Sequence, residues 1–296
     1  MEGARAHPAY EVAVVGHRGF LGSAILQGFL DAGVAAVGFG SDTPAVRDGE
    51  LDPVMARGSV RTVVWCASRI NPRLSETEPL LAIRDGADLL AFVRAASESP
   101  VPPRLILLSS GGTVYGPPSL PPFRESDKPS PVNAYGLDKW AQEQSARTGR
   151  LDVTVLRIAN AYGPGQRPAP GQGVLAHWMT AVKEGRPVHV FGDPHATRDY
   201  VYVDDVVRAT VAAHRAVDAP PIVNVGSGVA TTLGDLLDAL RLAVAPQTVE
   251  AEHFPPRATD ASHSVLDVSL ARTALGWEPE VTLPEGVRLM WERFSS

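Results

Sequence analysis

The stretch "VVGHRGFLGSAI", residues 14–25, sets Gly16, Gly19 and Gly22 between an apolar run and a helix-like pattern. Two readings fit it. One is a plain turn between a strand and a helix. The other is a loop that holds the pyrophosphate of a dinucleotide. In that reading Gly16 permits the tight turn, Gly19 lets the backbone approach the ligand, and Gly22 lets helix pack closely on sheet. The glycines alone do not choose between them, so the choice rests on what surrounds them.

Outward from this loop, short β-like runs alternate with helical ones. Residues 11–16 read as a buried strand, 20–32 as a helix, and 34–39, 61–68 and 103–110 as further strands. A long helical stretch runs from about Glu78 to Ser97, a shorter one from Tyr135 to Ala146, and 151–160 is again strand-like. This alternation predicts an α/β protein with a Rossmann-type, doubly wound parallel sheet covered on both faces. At "AYGPGQRPAPGQG", residues 161–173, glycine and proline crowd a loop that no regular element tolerates. A helix (174–184), a strand (188–192), a helix (203–216) and a strand (222–226) follow, and the last two can return to the first sheet. The expected organisation is a dinucleotide-binding domain over 1–165, to which 203–226 returns, and an interleaved, smaller α/β substrate lobe over 166–296.

Composition narrows the function class. Hydrophobic residues at 44% and charged residues at 20% suit an ordinary globular chain with a large core. A formal net charge of −6 argues against general attraction to nucleic acid or acidic membranes, so an anionic ligand would need locally placed arginines or backbone amides. The single cysteine, Cys66, excludes an internal disulfide and a metal site built on several thiolates, and no metal is expected. "MEGARAHPAYE" lacks the apolar core of a signal peptide, and no apolar stretch approaches the ~18 residues of a membrane span. A soluble, cytoplasmic protein is the expectation.

Tyr135 and Lys139 in "NAYGLDKW" stand four residues apart, on one face of a helix. A neighbouring ammonium lowers a phenol's pKa and makes it a general acid/base near neutral pH. Such a pair in isolation reads as a surface contact. Following a dinucleotide loop and a fourth strand, it suits catalysis. The run "LILLSSGGTVYG" brings the hydroxyls of Ser109, Ser110 and Thr113 to the C-terminal edge of the sheet, where ligands of open α/β sheets bind. Residues of this kind also cap helices and form turns. Arg198 and Arg257 present planar forks of donors suited to phosphate oxygens.

In this order the segments "GHRGFLG", "SSGGTVYG", "NAYGLDK", "LRIANAYGPGQ", "FGDPHATRDYVYVDDVVRA", "VNVGSG" and "LDVSLARTALGWEP" resemble the extended short-chain dehydrogenase/reductase family. The resemblance covers nearly the whole chain and is to the NAD-dependent nucleotide-sugar epimerase/dehydratase branch, in its UDP-glucose 4-epimerase-like pattern. It implies Tyr135 as catalytic base, with Lys139 as its partner and a cofactor contact. It implies Gly16, Gly19, Phe20, Leu21 and Gly22 as the pyrophosphate loop, with Ala67 also beside the cofactor. Asn160, Arg198 and Arg257 would touch the substrate diphosphate, Asp260 the nucleoside ribose, and Val174 and Phe191 the nucleobase. The implied cofactor is NAD, the partner a nucleoside diphosphate sugar, and the assembly a homodimer through the helices beginning near Glu78 and Tyr135.

Several departures from the family pattern bear on the chemistry. The family's active-site serine or threonine falls at Gly111, the segment after the third strand reads "WCAS" (65–68), and the asparagine of the next helix falls near Ile83. The second strand ends at Gly40, Ser41 and Asp42 with no acid at the usual ribose-binding place, which leaves NADP open beside NAD. In an extended segment residues two apart point to one side, so Thr113 is expected to supply the hydroxyl missing at Gly111, with Ser110 or a water as alternatives. The expected reaction is epimerisation at C4 through a transient 4-keto sugar. A 4,6-dehydratase would need an acidic pair where Gly112 and Thr113 stand. An NADPH-dependent 4-ketoreductase of an activated deoxysugar and a non-catalytic nucleotide-sensing module are the alternatives.

Overall fold

The computed structural model describes residues 9–117, 119–193, 195–255 and 263–295. The first βαβ unit is β1 (Val12–Val15), α1 (Phe20–Asp31) and β2 (Ala36–Phe39). A hairpin of β3 (Val46–Arg47) and β4 (Glu50–Leu51) leads to the one-turn α2 (Pro53–Ala56), begun by Pro53 and capped by the Asp52 carboxylate. Next come β5 (Thr62–Trp65), α3 (Pro72–Thr77), α4 (Pro79–Glu98), β6 (Arg104–Ser110), the single turn α5 (Gly111–Val114), α6 (Ala134–Ala146) and β7 (Val153–Ile158). The chain then leaves the sheet through β8 (Asn160–Tyr162), α7 (Val174–Lys183), β9 (Val188–Phe191), β10 (Thr197–Arg198) and β11 (Tyr200–Tyr202). It returns with α8 (Val203–Arg215) and β12 (Ile222–Val225). The remainder is β13 (Thr231–Thr232), α9 (Leu233–Val244), β14 (Ala251–Phe254), β15 (His263–Ser264), α10 (Ser269–Leu275) and α11 (Leu283–Ser295).

Six strands form one parallel sheet in the order β12-β7-β6-β5-β1-β2. Side chains alternate between its faces, and both faces are buried. Val12, Val14, Val64, Ile106 and Leu156 point to the side of α1 and α8. Ala13, Val15, Val63, Leu105 and Val155 point to the other side, with Leu89, Phe92 and Val93 of α4. Fully burying each large apolar side chain contributes about 1.5–3 kcal/mol, which is why these strands carry so few polar residues. Helices α1 and α8 cross closely at Gly28, where a Cβ would stand 2.1 Å from Val207 Cγ1. A second core gathers Trp178 and Met179 of α7, Leu236 and Leu240 of α9, and Met290 and Trp291 of α11.

Two expectations are corrected. The strand read over 151–160 ends at Ile158, and Asn160 begins β8, which pairs with β11 apart from the main sheet. Residues 111–114 are a helical turn rather than an extended segment, because Ser110 ends the β6 ladder and the chain must turn beneath α6. Between α9 and α11 lies α10, whose Ala271 packs on the sheet's first core.

Candidate active site

The order of the sheet reverses direction at β1, so the loops after β1 and β5 separate there and leave a crevice at the strand ends. The glycine loop is built into it. Gly16 has φ +89°, and a Cβ on it would meet Ala67 N at 2.6 Å. At Gly22 a Cβ would stand 2.2 Å from Gly16 O, so the first turn of α1 presses directly on the strand end. Only glycines fit this cradle, which leaves the N-terminus of α1 facing the crevice. That is the shape and polarity a dinucleotide pyrophosphate requires, and the residues present fit one.

A cleft of about 1030 Å³ opens above this edge. Gly19, Phe20, Leu21 and Gly22 line one part of it, and Ser110, Thr113, Tyr135 and Lys139 another. Asn160, Val174, Phe191 and Arg198 line the part toward the second core. Gly16 and Ala67 do not line it; they lie behind it, against each other. Arg257 and Asp260 lie outside the described residues.

Helix α6 begins at Asn133, whose side chain accepts from Gly136 N at 2.8 Å. Tyr135 and Lys139 follow on its cleft face, with Lys139 Nζ 5.9 Å from the Tyr135 ring centroid. Lys139 is buried, and desolvation lowers its pKa against the opposing fields of Asp85, Cys66, Asp138 and Glu143. The tyrosine differs from the sequence expectation. Burial, with a smaller push from the Asp85 carboxylate, raises its phenol to about 12. The ammonium lies against the ring and near Gln142 Oε1 (3.4 Å), so it does not offset the loss of water around the hydroxyl.

The three hydroxyls divide. Ser109 Oγ donates to Glu143 Oε1 at 2.6 Å, and both residues are buried. Glu143 is gripped by Arg157 through Nε (3.0 Å) and Nη2 (2.7 Å), and the guanidinium lies 4.7 Å from the Tyr115 ring centroid. Ser109 is thus tied into the bolt between α6 and the sheet. Thr113 Oγ1 donates to Ser110 Oγ at 2.8 Å, across the turn of α5. Thr113 reaches the cleft by the three-residue spacing of a helical turn, not by the two-residue spacing of a strand. A side chain at position 111 would be crowded, since a Cβ would meet Leu266 Cδ1 at 2.5 Å and Arg157 O at 3.0 Å.

On the substrate side, Asn160 Nδ2 donates to Asp199 O at 3.0 Å and Arg198 Nη1 to Thr197 O at 3.0 Å. Phe191 stacks on Phe254 with centroids 4.8 Å apart. Two carboxylates escaped the sequence reading. Asp199 is buried, which pushes its carboxyl up. It accepts from Ser227 N and Oγ, Gly228 N and Leu266 N, joining three segments next to Arg198. Asp85 is buried and accepts from Arg69 N (2.7 Å) and Nη1 (2.8 Å), fixing the loop after β5 beside the cleft. Its signal was present: an acid on the same helical face as Leu89, Phe92 and Val93. Among the described residues no His/Cys/Asp/Glu group could hold a metal ion, and no helix is long and apolar enough to cross a membrane.

Comparison with known proteins gives a consistent answer. The UDP-glucose 4-epimerase of Mycolicibacterium smegmatis is 33% identical over 95% of this chain and 97% of its own length. The crystal structure of the Thermotoga maritima UDP-glucose 4-epimerase with UDP-glucose superposes with a TM-score of 0.84 at 31% identity, covering 96% of this chain and 98% of that one. The Thermus thermophilus UDP-glucose 4-epimerase in complex with NAD gives 0.82 at 29% identity, covering 96% and 99%. The family model described as the NAD dependent epimerase/dehydratase family matches residues 12–226, a span that contains the glycine loop, Tyr135, Lys139 and Arg198, and this chain belongs to that family.

Proposed function

We propose that this protein epimerises a nucleoside diphosphate sugar at C4, with NAD as cofactor. One observation carries the reading: Tyr135 and Lys139 share a cleft with the glycine loop on one side and with Asn160 and Arg198 on the other. A ligand anchored by its diphosphate at Asn160 and Arg198 would extend its sugar toward α6. Val174 and the Phe191 face would flank the nucleobase, and by resemblance Arg257 and Asp260 would complete the nucleotide grip. Anchoring the nucleotide leaves the sugar free to turn, so binding energy is placed away from the reacting atom.

Bound NAD supplies the hydride acceptor and donor for C4. The chain's own part is the proton. Tyr135 as phenolate would take the C4 hydroxyl proton and later return it, and the Ser110–Thr113 hydroxyl pair would bridge sugar oxygen and phenol. A phenol held at about 12 needs positive charge closer to its oxygen to ionise near neutrality, and a turn of the Lys139 ammonium from the ring toward the hydroxyl would bring it there. Residues 1–165 with 203–226 form the dinucleotide-binding unit in this reading, and 166–296 the substrate lobe. A homodimer is supported by large apolar side chains left exposed on two packed helices. Leu80 and Ile83 of α4 are 65% and 66% exposed, and Leu137 (50%) and Trp140 (36%) are exposed on α6, which packs against α4. The lone thiol, Cys66, suits a reducing compartment such as the cytoplasm.

Tyr135→Phe tests the reading. It keeps the ring and removes the ionisable oxygen, so turnover of UDP-glucose to UDP-galactose should fall by about 10²–10⁴-fold. UDP-glucose affinity by calorimetry should stay within about twofold, since the lost group acts on the proton and not on the diphosphate. Near-parental turnover would sink the mechanism.

A further inference from the structure

Tyr135, Lys139 and Gln142 follow one another at steps of four and three along α6 and share one stripe of the helix. Gln142 is buried and is not one of the residues that line the cleft. Its Oε1 accepts from Lys139 Nζ at 3.4 Å, and among the described residues that is the ammonium's one hydrogen bond. Cys66 of β5, Asp85 of α4, and Asp138 and Glu143 of α6 also face the ammonium. Asp85 is taken up by Arg69, and Glu143 by Arg157 and Ser109. Gln142 Nε2 is buried with no hydrogen-bond partner among the described residues. A half-satisfied buried amide is costlier than an apolar side chain filling the same space, so packing does not account for it. Holding Lys139 does.

We propose that Gln142 is a positioning residue: its Oε1 holds the Lys139 ammonium on the ring side of Tyr135, away from the phenol oxygen. The ammonium lies 5.9 Å from the ring centroid and forms no hydrogen bond with the hydroxyl among the described residues. Held there, its charge does little for the phenolate. Freed from Gln142, the buried ammonium gains by turning to the phenol, because an opposite charge close by favours the ionised form of both groups. Gln142 thus sets how strongly the pair is coupled, and the coupling tightens only when the lysine leaves it. This rests on Tyr135 and Lys139 as the acid/base pair of the proposed function, but not on the sugar.

The test is the alkaline titration of Tyr135 in the full chain, read as tyrosinate absorbance minus that of the matching Tyr135→Phe protein. Stopped-flow pH jumps read the signal before the chain unfolds, with near-UV circular dichroism as the check. Gln142→Met keeps the length of the side chain and removes the acceptor. It should bring the Tyr135 titration down by about one pH unit or more, the effect of an opposite charge brought close to the phenol. Gln142→Glu keeps an acceptor and adds charge to it, so its titration should stay at or above the parental one. In a Lys139→Met background, Gln142→Met should move nothing, because the lysine carries the effect. An unmoved or later titration in Gln142→Met, whatever its Tm, would make the glutamine merely structural and overturn the proposal. So would an earlier titration in Gln142→Glu, or the same shift with and without Lys139. The expected shifts without turnover of UDP-glucose would sink only the proposed function, and turnover with an unmoved titration only this inference.

Discussion

Ser109, Ser110 and Thr113 are chemically similar and four residues apart at most, yet the fold gives them different work. Ser109 spends its hydroxyl on Glu143, in a buried network with Arg157. Ser109→Ala should therefore cost about 1–3 kcal/mol of stability, the penalty of a buried acceptor losing its donor, and leave turnover near parental. Thr113→Val keeps shape, leaves Ser110 without its donor, and should lower kcat by about 10²-fold, the scale of one positioned hydrogen bond at a reacting atom. Thermal melts paired with turnover assays separate the two. A Ser109→Ala protein of unchanged Tm but low kcat would exchange the roles. Thr113 could be nominated from sequence because it lies near the sheet edge. The geometry that delivers it could not, since a strand and a single helical turn read alike over four residues such as "GGTV".

At the scale of elements, the proposed catalytic geometry depends on how tightly α6 seats on α5. Gly136 allows that seating: a Cβ there would stand 2.2 Å from Thr113 O. Gly136→Ala should push the helix off the turn, cost about 1–3 kcal/mol as overpacking, and reduce kcat by separating Tyr135 from Thr113. Gly86→Ala in α4 is the matched control, because a Cβ there meets nothing within 4 Å. It should stabilise by about 0.4–1 kcal/mol with kcat unchanged. Chemical denaturation of both variants checks the contrast, and equal effects would mean that helix propensity, not close approach, governs position 136. The strands and long helices were legible because their periods are written in consecutive residues. The turn α5, the break at Asn160 and the helix α10 were not, because short elements take their form from what they dock against.

For the molecule as a whole, α4 and α6, which pack against each other, leave the large apolar side chains of Leu80, Ile83, Leu137 and Trp140 exposed. A second copy of this chain is the partner proposed for them. Leu80→Glu combined with Ile83→Glu should convert dimer to monomer in sedimentation velocity, with the melt of each chain preserved because both positions are exposed. A parent that sediments as a monomer at micromolar concentration would remove the homodimer from the reading. Turnover of a monomeric variant would then report whether α6, which carries Tyr135 as well as the exposed Leu137 and Trp140, needs a partner for rigidity.

The residue order alone determined the alternation of strand and helix, the glycine cradle, and the four-residue step from Tyr135 to Lys139. Each depends only on local period and on residues a few positions apart. Tertiary structure decided what depends on distant atoms. Arg157 and Leu266 close the space at Gly111, and burial turns the Tyr135 phenol upward where spacing alone suggested the reverse. Asp85 and Asp199 become the anchors of the cleft walls only when the chain brings backbone amides to them from loops 16 to 67 residues away. Charge and solvation act through space, so they are set only once the core has closed.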